Sequence, residues 1–222
     1  MSLAVVILID TGSIVFTDSR SVTSNFSASK SGVQKFAMLT LKWGEAVVAF
    51  TGDGEINGML TVDILSESAK RSTNSEDLPE ALVGGLRSAF RDDVANFPWE
   101  SEADKDAYIR EAKVILHILT APKTHKLWRV TPQHTEEIHF PEGANEAFSG
   151  VGKVECFTGI YRPWDLNLVR AHLPPCIDRI CTNERSCGYP VDVTVWKSGS
   201  APQTKRCADL EALNVHLASL TK

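Results

Sequence analysis

The sequence has no excess of basic residues: 23 lysines and arginines stand against 28 aspartates and glutamates, a net charge of −5. A nucleic-acid surface needs a basic face, so a nucleic-acid partner is not expected. Long hydrophobic runs are missing too, none approaching the length of a membrane span, so no membrane partner is expected. No basic region precedes the first apolar stretch, and Asp10 interrupts that stretch, so it does not read as a signal peptide. The cysteines are five, an odd number without framework spacing, which fits reduced thiols and a cytoplasmic location. Internal repeats, low-complexity tracts and dividing linkers are absent. The 222 residues suit one domain, 1–222, with a sizeable core. What is present is ordinary globular composition, 43% hydrophobic and 23% charged.

Hydrophobic periodicity organises the chain. Residues 4–9 and 14–18 are β-rich runs separated by "DTGS", the pattern of a hairpin. Residues 35–42 and 45–50 form a second pair around Trp43-Gly44. The period then changes: Ile56, Met59, Leu60 and Ile64 are spaced for one helix face, which predicts a helix starting soon after Gly52. A second helix is predicted over 77–95, with Leu78, Leu82, Leu86 and Phe90 recurring along it. Residues 112–120 and 126–131 read as a third hairpin, and "FSGVGK" as a glycine-bearing turn leading to a helical segment. A helix near 165–182 should be kinked or broken at Pro174-Pro175. "YPVDVTVWKSG" is a strand and 208–220 a closing helix. Runs of strands alternating with runs of helices favour packed sheets with helices outside.

Several chemical motifs can be weighed on their residues alone. Asp10-Thr11-Gly12 reads like an aspartic-protease loop, but that chemistry needs two carboxylates sharing one proton, and the chain has no second such motif. Asp10 is therefore expected in a turn. "GDGEING" offers a GxG between a strand and a helix, yet its third glycine is displaced and Asp53 would confront a pyrophosphate. Nucleotide binding is not expected. Cys176, Cys181 and Cys187 lack zinc-site spacing and read as buried or semi-buried thiols. His117 lies in an apolar strand and reads as a core histidine; His125, His134 and His139 lie in or near turns.

Taken whole, the order of segments resembles the proteasome-like branch of the N-terminal-nucleophile hydrolases, in particular proteasome β-type and bacterial proteasome-related peptidase subunits. The matching segments are the returning strand "SIVFTDSR", "SGVQKF", "AVVAFTGDGEI", "AFSGVGK" and "GYPVDVTVW", running from residue 2 to about 197. Counting back from Asp18 by the family's spacing lands on Ser2 as nucleophile. The resemblance implies that Ser2 attacks once Met1 is removed, with its own freed α-amine as base. It implies further that Lys35 lowers the pKa of that amine, that Asp18 fixes Lys35, and that the Gly52 N–H stabilises the oxyanion. "TNERSCG" is similar to the family's later Asp-x-x-Ser-Gly-Gly, placing Asn183 and Ser186 beside the amine. Serine stands at 2 for threonine, asparagine at 183 for aspartate, and Gly150-Val151-Gly152 lacks the serine hydroxyl of the family's turn.

The expected fold is thus α+β, a four-layer αββα sandwich of two mostly antiparallel sheets with helices on both outer faces. The expected activity is peptide or amide hydrolysis by Ser2; the alternative is a non-catalytic assembly or binding subunit. No cofactor and no metal is implied. Ring-type homo-oligomers follow from the resemblance, and an ATP-dependent unfoldase partner is compatible with it, although no residue points to one.

Overall fold

The computed structural model describes residues 3–9, 12–22, 29–52, 54–96, 100–105, 115–120, 127–130, 135–138, 147–152, 165–184, 187–197 and 199–220. They fall into two compact units, Met1–Gln34 with Phe140–Lys222, and Lys35–His139.

The first unit holds a sheet of five strands in the order β12-β1-β2-β13-β14. These are β1 (Leu3–Ile9), β2 (Gly12–Asp18), β12 (Ala147–Gly152), β13 (Val191–Lys197) and β14 (Gln203–Cys207). Every pairing is antiparallel. The hairpin of β1 and β2 is the one predicted from the two β-rich runs around DTGS. Its turn residues Asp10 and Thr11 lie outside the described residues. Alternate side chains Leu3, Val5, Ile7, Ile14, Phe16, Val191 and Val193 pack against two helices, α3 (Leu166–Asn183) and α4 (Leu210–Ser219). Asp165 caps α3 by accepting the Leu168 N–H at 2.7 Å, and Asp209 caps α4 by accepting the Ala212 N–H at 2.8 Å. The opposite set on the same strands, among them Ala4, Val6, Val15, Asp192 and Trp196, is buried as well. Two short strands, β3 (Ser21–Val22) and β4 (Ser29–Lys30), pair separately.

The second unit repeats the plan with the order β11-β10-β9-β6-β5. Its strands are β5 (Phe36–Leu41), β6 (Gly44–Thr51), β9 (Ile115–Thr120), β10 (Leu127–Val130) and β11 (Thr135–Ile138). Ala37, Leu39, Ala46, Val48 and Phe50 pack against α1 (Thr61–Ala69) and α2 (Leu78–Asn96). Leu78, Leu82, Leu86 and Phe90 form the buried stripe of α2 at the predicted spacing. Phe36, Val47, Ala49 and Thr51, on the other face, are also buried. A Cβ on Gly85 of α2 would lie 1.7 Å from Ser68 Oγ, so glycine sets the approach of α1 to α2.

Three expectations need correction. No helix starts close to Gly52: Glu55–Ile56 (β7) and Met59–Leu60 (β8) pair as a small hairpin, and α1 begins only at Thr61. Met59 and Leu60 are exposed, 47% and 44%, so they do not extend the apolar face of α1. Asn57 and Gly58, both at positive φ, supply a turn that helical periodicity cannot reveal. "FSGVGK" is not a turn either, because Phe148 to Gly152 pair along β1, with Gly150 opposite Val5 and Gly152 opposite Leu3. The helical segment expected after it lies outside the described residues. Finally, of the kink or break expected at Pro174-Pro175, the break does not occur, because α3 is continuous through both prolines. Leu173, Pro174 and Ile177 are buried on either side, and that packing outweighs the backbone bonds the prolines remove. Strands β11 and β14 had no signal strong enough to be read from the sequence. Among the described residues no helix is long and apolar enough to cross a membrane.

Candidate functional site

Asp18 ends β2 and is fully buried. Its Oδ1 accepts the backbone N–H of Leu3 at 2.8 Å, and its Oδ2 accepts the N–H of Arg20 at 3.1 Å. A buried carboxylate must be compensated by donors, and here two are supplied by the backbone of both chain segments at the open end of one hairpin. Leu3 opens β1, so the carboxylate anchors the chain immediately after Ser2. Ser2 itself lies outside the described residues.

The next two residues tie this strand end to two other segments. Ser19 is buried; its hydroxyl donates to the Pro190 carbonyl at 2.6 Å and accepts the Gly32 N–H at 3.3 Å. Its carbonyl accepts the Val33 N–H at 2.9 Å, and its own N–H donates to the Gly188 carbonyl at 3.4 Å. Arg20 lies flat against Gly188, where an added Cβ would meet the guanidinium at 2.4–2.6 Å. Asp192, 3% exposed, takes a two-pronged pair from Arg206, with Nε to Oδ1 at 2.8 Å and Nη2 to Oδ2 at 2.7 Å. Arg206 reaches on to the Gly32 carbonyl at 3.4 Å. The stretch that leads into Lys35 is thus pinned by Ser19 and Arg206. Motif reading did not single out Asp192, Arg206 or Gly188, since each acts through a partner far away in sequence.

Asn183 is the last residue of α3 and is exposed, while Ser186 lies outside the described residues. Cys181 and Cys187 are buried, and neither is in a disulfide, nor are Cys176 and Cys207. Burial first, and then the negative charge of Asp18, pushes the Cys181 thiol up to about 12. Burial also raises Tyr189, reinforced by Cys181 and by Asp178, whose Oδ1 accepts the tyrosine hydroxyl at 3.4 Å.

In the second unit, Lys35 is fully buried and its carbonyl accepts the Phe50 N–H at 2.9 Å. Neither Lys35 nor Asp18 is without further partners. Gly52 follows β6 with φ of 112°, a conformation that favours glycine, and is half-buried.

No protein-family model matches the chain, and no curated protein sequence matches it. Solved structures do. The helical assembly of the Anbu complex from Pseudomonas aeruginosa superposes with a TM-score of 0.69 at 14% identity, over 98% of this chain and 92% of that one. Anbu (ancestral beta-subunit) from Yersinia bercovieri gives 0.65 at 17% identity, over 99% and 98%. A Gly-1 mutant of Anbu from Hyphomicrobium sp. strain MC1 gives 0.67 at 13%, over 98% and 95%. These matches correct the sequence resemblance, which pointed to proteasome β-type and bacterial proteasome-related peptidase subunits: the structures found are Anbu proteins, and their likeness carries no peptidase activity with it. At such identities the likeness speaks of architecture alone, and the architecture is a proteasome-like mixed α/β fold with antiparallel sheets.

Proposed function

We propose that the chain hydrolyses amide or peptide bonds with Ser2 as nucleophile after removal of Met1. The observation that carries this reading is the bond from Leu3 N–H to the buried Asp18 carboxylate, which fixes the first strand one residue after the nucleophile. Ser2 Oγ attacks the carbonyl carbon while the α-amine of Ser2 takes the hydroxyl proton and later passes it to the leaving amine. The Gly52 N–H donates to the oxyanion, from a residue that follows β6 at a positive φ. Lys35, held by Asp18, lowers the pKa of the amine, with Asn183 and Ser186 beside it.

The same reading takes 1–222 as one domain and stacks the two sheets as the inner layers of a four-layer αββα sandwich. Homo-oligomerisation, of ring type, and a cytoplasmic location complete it. Self-association is supported by the assembly formed by the Pseudomonas protein, and the location by four free thiols among the described residues.

One observation favours a second reading, a non-catalytic assembly subunit. Asn183 is exposed at the end of α3 and carries no carboxylate. Intact mass of protein made from its native start, followed by an electrophile that captures both hydroxyl and α-amine, separates the two. Hydrolysis predicts loss of Met1 and one label per chain, abolished in Ser2→Ala. Processed protein that takes no label would leave the assembly reading.

A further inference from the structure

A cavity of about 570 Å³ opens in the first unit between β13, β14 and the last turn of α4. Val195 and Leu220 give it an apolar wall, and Lys197, Lys205 and His216 are its ionisable groups among the described residues. Among the described residues no acid lines it, in a chain that carries more acids than bases. Lys205 forms no ion pair among the described residues. His216 Nε2 is buried and has no hydrogen-bond partner among them. Leaving a buried ring nitrogen unpaired is costly, so a ligand that supplies its partner would be favoured here.

We propose that this cavity binds a small-molecule oxyanion, a carboxylate or a phosphate, through Lys205 and His216. An oxyanion accepts from the ammonium and from the imidazole Nε2–H together. The volume suits a ligand of metabolite size, larger than one inorganic ion. The other charged groups near His216 do not supply such an acceptor. Lys197 lines the same cavity from β13, and Arg170 of α3 is committed to the carbonyls of Leu217 and Leu220. Burial and Lys205 together hold the His216 pKa below its ordinary value, which a bound anion reverses.

The test is an NMR titration of the His216 imidazole in the full chain, assigned with His216→Gln. The probes are inorganic phosphate and citrate, each against sodium chloride at matched ionic strength. The expected result is a saturable shift and a raised His216 pKa with phosphate, with citrate or with both, and the arm that responds names the oxyanion. Lys205→Gln should weaken that binding about 10-fold, the loss expected for one charge-assisted contact. Without added anion, the same variant should raise the His216 pKa by removing the repulsion. Shifts that fail to saturate, that chloride reproduces, or that survive unchanged in a folded Lys205→Gln protein would overturn the proposal.

Discussion

Asp18 and Leu3 lie fifteen residues apart and are joined by a 2.8 Å bond from backbone N–H to buried carboxylate. The same carboxylate holds the Arg20 N–H, so one side chain closes the open end of the β1–β2 hairpin. Asp18→Asn keeps an oxygen for Leu3 but turns an amide donor toward the Arg20 N–H. We expect a loss of about 1.5–3 kcal/mol, the range for hydrogen bonds to a charged group, seen as a lower urea midpoint at unchanged slope. Under the proposed reading, labelling of Ser2 disappears in this variant even where it remains folded.

Gly188 and Arg20 provide a second test. Gly188→Ala places a methyl group where the guanidinium now lies, and the obstructing atoms belong to the end of a flexible side chain. The expected cost is about 1 kcal/mol, at the low end for overpacking. In an Arg20→Ala background the same change should cost almost nothing, and a double-mutant cycle by urea denaturation measures that coupling.

Gly85 of α2 is less forgiving, because an added Cβ would meet Ser68 Oγ at 1.7 Å and Ser68 Cβ at 2.7 Å. Gly85→Ala should destabilise the second unit by about 1–3 kcal/mol. Ser68→Ala removes only the nearer atom and rescues in part, whereas Ser68→Gly removes both and rescues further. Thermal or urea melts of the three combinations give the order.

The Cys181 thiol links stability to alkaline pH. Its folded pKa is raised from 9.0 to about 12, by burial first and then by Asp18. The unfolded chain therefore releases a proton that the folded chain keeps. This contribution is fully present below pH 9.0 and declines as pH rises toward about 12. Tyr189, also raised, acts in the same direction at the upper end. Urea midpoints measured from about pH 8 upward should fall less steeply in Cys181→Ala than in the parent. Alkylation of native Cys181 near pH 8 should be far slower than in urea, because little thiolate exists.

Much of the architecture was legible because burial on one side of a strand or helix leaves a period. The β-rich runs around the DTGS turn and the four-residue recurrence from Leu78 to Phe90 became β1, β2 and α2 as predicted. Short elements left no such trace: β7, β8 and β14 are too brief or too polar to alternate detectably, and Met59 and Leu60 imitated a helix face while standing exposed. Gly150-Val151-Gly152 looked like a turn by composition, but strand pairing is decided by the partner, and β1 offered a free edge. Pro174 and Pro175 argued locally for a break, and burial of their neighbours prevailed.

The site divides along the same line. The residue types and order of Ser2, Asp18, Lys35 and Gly52 belong to the sequence, as does the spacing that draws attention to Asp18. That Asp18 is buried and bonded to Leu3 is tertiary, as are the Ser19 hub, the Arg20–Gly188 contact and the Asp192–Arg206 pair. These bring together residues up to 171 positions apart. Local propensity acts over a few residues and carries no information at that range. Hydrogen bonds and burial, which depend only on distance in space, decided what the sequence could not.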